Sequence, residues 1–176
     1  RDSEYSTSIS LLPSGKYYDV DLDGSVTVSG MPFLSIAEDL YTPHKSGELS
    51  HYLVRNHPSS GQILLKEHKT NNYVLSSSFH MIDDWLNVYI RRNNKKYDIE
   101  VNNSSIANFD SGLSDLEIGN IRAENNIFVG AAPHSGNYNI FYRGYIDNVE
   151  FKDECLYTTT TTTLAPTTTT TTTTST

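Results

Sequence analysis

Apolar and polar residues alternate with a period of two along most of this chain. Tyr18, Val20 and Leu22 interleave with Asp19, Asp21 and Asp23, and Val26 and Val28 interleave with Ser25, Thr27 and Ser29. The Asp23-Gly24 pair between these two runs predicts a tight hairpin. Similar short runs predict strands over residues 33–37, 51–55, 62–66, 73–77, 85–91, 97–101, 116–118, 127–129 and 144–151, with Asn, Ser, Gly and Pro clusters between them. The longest helical expectation is a short turn over residues 36–40. Many short strands at this spacing predict an all-β fold, an antiparallel jelly-roll sandwich.

The pattern stops abruptly near the end. Residues 157–176 are almost pure threonine: Thr158, Thr159, Thr160, Thr161, Thr162 and Thr163, then Leu164-Ala165-Pro166, then Thr167, Thr168, Thr169, Thr170, Thr171, Thr172, Thr173 and Thr174. Such a run has nothing to bury, so ordering it is not compensated. It has the composition of an O-glycosylated stalk, with these threonines as acceptors, or of a bare linker. Residues 1–156 are left as one β-sandwich domain, long enough to bury a core.

Charge narrows the partners. The 176 residues hold 13 Lys and Arg against 21 Asp and Glu, a net charge of −8. Nucleic-acid binding needs a basic face, and the basic residues cluster only at Arg91, Arg92, Lys95 and Lys96, which read as a solvated hairpin tip. No apolar run approaches the ~20 residues of a membrane-spanning helix. The lone Cys155 excludes an intrachain disulfide, and its acidic neighbours Asp153 and Glu154 disfavour a thiolate.

Few residues carry recognisable chemistry. Asp19, Asp21, Asp23 and Gly24 match the first half of a calcium loop, but the twelfth position from Asp19 is Gly30 rather than a bidentate Glu. One reading puts the three Asp on the solvent face of a strand entering a turn. The other is a non-helical calcium site completed by Asp147 from another strand; the first reading expects no cofactor and the second expects calcium. His44, His51, His57, His68, His80 and His134 lack paired ligand spacing and read as surface or loop residues. No nucleophile motif, phosphate loop or E-x-D-x-x-E glucanase strand occurs, so a non-enzyme is expected. Asn102-Asn103-Ser104 and Asn103-Ser104-Ser105 form two overlapping N-glycosylation sequons, with Asn102 and Asn103 as acceptors.

The second half carries a family likeness. Asp84-Trp85-Leu86-Asn87-Val88-Tyr89-Ile90 is followed by Tyr97-Asp98-Ile99-Glu100-Val101, Leu116-Glu117-Ile118, Ile127-Phe128-Val129-Gly130-Ala131-Ala132-Pro133 and Tyr142-Arg143-Gly144-Tyr145-Ile146-Asp147-Asn148-Val149-Glu150-Phe151. Over residues 84–151 this order resembles the laminin-G-like branch of the concanavalin-A-like lectin superfamily. Tyr145 stands where laminin-type members carry Cys, so the likeness is to the disulfide-free, pentraxin-like members. The resemblance implies a jelly roll used for binding glycans, proteins or steroids, often with calcium at a sheet rim. By the residues themselves, Gly144 permits close backbone approach. Ile146, Val149 and Phe151 are expected to bury, with a bulge breaking their alternation.

These readings point to an extracellular or cell-surface, non-catalytic binding module on a glycosylated stalk, with a glycan or an extracellular protein as partner. A structural subunit of an extracellular fibre or sheath, self-assembling through the threonine tail, is the alternative. A third is a carbohydrate-binding appendage of a larger protein.

Overall fold

A computed structural model describes residues 4–40, 44–45, 47–93, 96–106, 125–134 and 138–152. The threonine tail, Cys155, Lys95 and the expected strand at 116–118 lie outside the described residues. The strands in chain order are β1 (Tyr5–Pro13), β2 (Tyr18–Asp21), β3 (Thr27–Ala37), β4 (Leu49–His57), β5 (Ser60–Glu67), β6 (Tyr73–Leu75) and β7 (Phe79–His80). They continue with β8 (Leu86–Asn93), β9 (Lys96–Val101), β10 (Ser104–Ser105), β11 (Asn126–Val129), β12 (Ala131–His134), β13 (Tyr138–Phe141) and β14 (Gly144–Lys152). Among the described residues no helix is long and apolar enough to cross a membrane. The helical turn expected over 36–40 does not form, because Ile36 and Ala37 continue β3 and are fully buried.

All pairings are antiparallel. The first sheet runs β10-β9-β8-β1-β14. In the second, β3, β4 and β5 lie side by side; β2 and β11 share the outer edge of β3, and β6 and β7 share the outer edge of β5. Inward positions of both sheets form one core: Tyr5, Ile9 and Leu11 from β1, Val88 and Ile90 from β8, Ile99 from β9, Phe33 and Ile36 from β3, Leu53 from β4, and Ile63 and Leu65 from β5. Arg91 and Arg92 lie within β8 rather than at a tip. Arg92 follows Leu86, Val88 and Ile90 in parity, so it is buried with its guanidinium 5.7 Å from the Tyr97 ring centroid.

Two histidines depart from the surface role expected of them. His51 is fully buried in β4. Its Nδ1–H donates to the Leu34 carbonyl at 3.0 Å, and its Nε2 accepts the Tyr5 hydroxyl proton at 2.8 Å. This bond crosses from the first sheet to the second, with Phe33 and Phe151 packed around the pair. Burial pushes the His51 pKa down to about 4, which keeps the ring neutral and its two bonds intact. His68 is pushed down to about 3 by burial and by neighbouring His44 and Lys66.

Gly144 opens β14 at φ 141°, and a Cβ there would lie 2.2 Å from the Leu12 carbonyl oxygen. The expected bulge follows it: the register with β1 shifts between Ser8 and Ser10, and Asn148 takes a φ of 50°. Ile146 and Phe151 pack on the core, but Val149 is 42% exposed, because the bulge turns it outward.

The second sheet is covered on its outer face as well. At Gly130, with φ 72°, the chain leaves the edge of β3. The β12–β13 hairpin then crosses the sheet, bringing Ala132 and Ile140 against Val20, Leu22, Tyr52, Val54 and Leu64.

Two outcomes follow. Tyr5→Phe leaves His51 Nε2 buried without a donor and should cost about 1–3 kcal/mol in urea unfolding. Because the unfolded chain binds more protons than the fold at His51 between pH 6.5 and about 4, stability is complete above pH 6.5 and falls through that window. The loss from His51 is roughly 3 kcal/mol, at about 1.4 kcal/mol per pKa unit, and His68 adds to it in the same direction. Urea midpoints from pH 7 to pH 4 check the slope, which should flatten in His51→Met.

Candidate functional site

Strand parity that sends Ile9, Val88 and Ile99 inward sends their polar neighbours to the outer face of the first sheet. Cross-strand register aligns them in rows. Glu150, Ser8, Tyr89 and Glu100 form one row across four strands, and Asp147, Ser10 and Asn87 form the next. Between these rows lies a groove of about 510 Å³ lined by Ser8, Ser10, Asn87, Tyr89, Glu100, Asn103 and Asn148.

Part of this surface is already tied together. Asn148 Nδ2 donates to Ser10 Oγ at 3.5 Å, and Ser10 Oγ donates to Asn87 Oδ1 at 2.8 Å. The Asn87 N–H donates to Asn102 Oδ1 at 2.9 Å, while the Asn102 N–H donates to the Asn87 carbonyl at 2.8 Å. The Asn87 and Asn102 side chains are therefore held in place before any ligand arrives. Within the described residues, the side chains of Ser8, Tyr89, Glu100 and Asn103 make no hydrogen bond with the protein. The groove thus offers hydroxyl, amide and carboxylate groups of both donor and acceptor type beside one aromatic ring. Such a set suits a polyhydroxylated ligand, whose hydroxyls pair with planar polar groups and whose C–H face rests on an aromatic ring.

The four proposed calcium ligands do not share one place. Asp147 lies on β14 of the first sheet, opposite Ser10. Asp19 and Asp21 lie exposed on β2 at the edge of the second sheet, and Asp23 lies in the turn after it. Asp21 Oδ1 accepts the Gly24 N–H at 2.7 Å. Asp23 Oδ1 accepts the N–H groups of Ser25 and Val26 and the Ser25 hydroxyl, and these donors hold its carboxyl below the usual range. Two of the carboxylates therefore cap the hairpin turn, and Gly24 supplies its φ of 89°. Among the described residues no group of three His, Cys, Asp or Glu side chains converges on a metal position.

Asn102 and Asn103 form the two-residue turn between β9 and β10, with φ values of 50° and 63°, and both are exposed. The turn that carries the sequons therefore also borders the groove.

Sequence reasoning did not find the groove. Ser8 and Ser10 belong to β1, a strand absent from the expected set, and Tyr89 and Glu100 had no assigned role. Their common signal is parity: each is offset by one from an apolar core position. No family model matches the chain, and no curated protein matches it.

Asp23→Ala should loosen the β2–β3 turn without unfolding the sandwich. Hydrogen exchange should speed up at the Ser25 and Val26 amides, while the Ile9 and Val88 amides keep their protection.

Proposed function

We propose that this chain is an extracellular, non-catalytic binding module that takes a neutral oligosaccharide on the outer face of its first sheet. In this reading the two sheets form a laminin-G-like jelly roll of the pentraxin-like kind, and the threonine tail is an O-glycosylated stalk. The observation that carries the reading is the lining of the groove. Its side chains are amides and hydroxyls around Tyr89, and Glu100 is the one charged residue among them. An anionic sugar would meet that carboxylate unpaired, whereas a neutral one would use it as an acceptor.

A groove this open fits weak, multipoint recognition, in which each hydrogen bond adds little and the aromatic contact matters most. Tyr89 is half-buried, with Ser8 on one neighbouring strand and Glu100 on the other, so its ring cannot be replaced by an adjacent residue. Tyr89→Ala should lower affinity for a neutral oligosaccharide about tenfold or more, the loss of roughly 1.4 kcal/mol, with an unchanged melting temperature. A neutral-glycan array followed by calorimetry on the best binder tests this. Equal affinity in the variant, or no neutral glycan bound by the intact chain, would overturn the reading.

A further inference from the structure

The outer face of the second sheet holds a different cleft. It has a volume of about 320 Å³ and lies between the β2–β3 turn and the β12–β13 hairpin. Tyr52, Pro133 and Ile140 form an apolar wall, and the charged and titratable groups are Lys66, the carboxylates Asp19 and Asp21, and the histidines His44 and His68.

Lys66 is the anomaly. It is half-buried on β5, and among the described residues no carboxylate lies within ion-pair distance of its ammonium. Its hydrogen-bond partner is the Asp21 backbone carbonyl. The Asp21 and Asp23 carboxylates act on it only at longer range, since both are turned to the amides of their own turn. Burial outweighs that attraction and lowers the Lys66 pKa. Its ammonium is thus partly desolvated with no carboxylate in direct contact, which leaves room for an anion to pair with it.

His68 adds an acceptor, by proton counting. Ser35 Oγ donates to the Ala131 carbonyl at 2.6 Å, so the Ser35–Ser50 contact at 2.6 Å must carry the Ser50 proton. Ser50 then has no proton left for His68, and the His68 Nε2 contact at 2.6 Å must be an N–H donating to Ser50. That assigns neutral His68 an unprotonated Nδ1, and it removes Ser50 as a nucleophile served by His68, because the ring nitrogen facing it is a donor. His44 lies with its ring centroid 4.7 Å from that of His68, and its Nδ1 is 3.0 Å from Glu48 Oε2. The carboxylate there needs a donor, so His44 Nδ1 carries a proton.

The cleft therefore combines one ammonium that has no carboxylate within ion-pair distance with acceptors: the His68 Nδ1 and the exposed Asp19 and Asp21 carboxylates. A bare anion would leave those acceptors unused, and a neutral sugar would leave Lys66 unpaired. We propose that this cleft is a second ligand site, separate from the groove on the first sheet, and that it takes a sugar acid. The carboxylate meets Lys66, the hydroxyls donate to Asp19, Asp21 and His68, and the ring lies against Tyr52 and Ile140.

The test is an NMR titration of the full chain at neutral pH with glucuronate and, separately, with glucose. Glucuronate should bind about tenfold tighter or more, shift the Val20, Thr27 and Tyr52 signals, and raise the pKa read at the Lys66 ε-methylene. Lys66→Met keeps most of the stem and should abolish the preference for glucuronate. Equal affinity for the two sugars, an unmoved Lys66 titration on saturation, or shifts confined to Ser8, Asn87 and Tyr89 would overturn the proposal. The Lys66 titration in the unaltered protein reads the contact even if the variant fails to fold. Because the two sites lie on opposite sheets, failure here and failure of the neutral-glycan reading give different shift maps.

Discussion

Tyr5 and His51 meet in the middle of the sandwich, one from each sheet, and both are fully buried. The bond satisfies two buried polar groups that face the core shared by both sheets, and it does so only while His51 is neutral. It also sets the depth of β1, whose inward residues Ile9 and Leu11 pack on the same core. Since β1 lies between β8 and β14, its depth and register position every row on the outer face of the first sheet. The groove side chains Ser8 and Ser10 alternate with Tyr5, Thr7, Ile9 and Leu11 on that one strand. A one-residue slip would send the serines into the core and the leucine and isoleucine into the groove.

The two outer faces are built differently. The first sheet keeps its face open and polar, as an antiparallel sheet with one solvated side does. The second buries its face under the β12–β13 hairpin, so every position of β3 from Gly30 to Ala37 is buried. That cover traps a polar chain from His68 through Ser50 and Ser35 to Ala131. The hydrogen bonds tie the hairpin to the sheet, and the space left beside them is the cleft around Lys66.

How much of this was legible from the sequence depended on whether one face of each strand met water. The β2–β3 hairpin and strands β4, β5, β8, β9 and β14 follow from period-two patterning, and Gly144 and the bulge of β14 were visible as a glycine and a break in alternation. Strand β1 was missed because its outward positions are serine, a residue equally at home in loops. β12 and β13 were missed because Ala131, Ala132 and Pro133 carry no alternation. Arg92 and His51 were misplaced by residue type, although parity with Ile90 and with Leu49 and Leu53 puts both inside. Neither cleft could be seen in one strand: Ser8, Tyr89 and Glu100 become neighbours only through register, and Lys66 shares a cleft with His44 and Asp19 only once the sheet is assembled.

The central claim is that the open polar face of the first sheet is the recognition surface. Amide and side-chain shift mapping with the best neutral oligosaccharide from an array tests it most directly. The account predicts perturbations concentrated at Ser8, Ser10, Asn87, Tyr89, Glu100 and Asn103, with the second sheet unmoved. Perturbations centred on the loops at the ends of the sandwich, or on the second sheet alone, would contradict it.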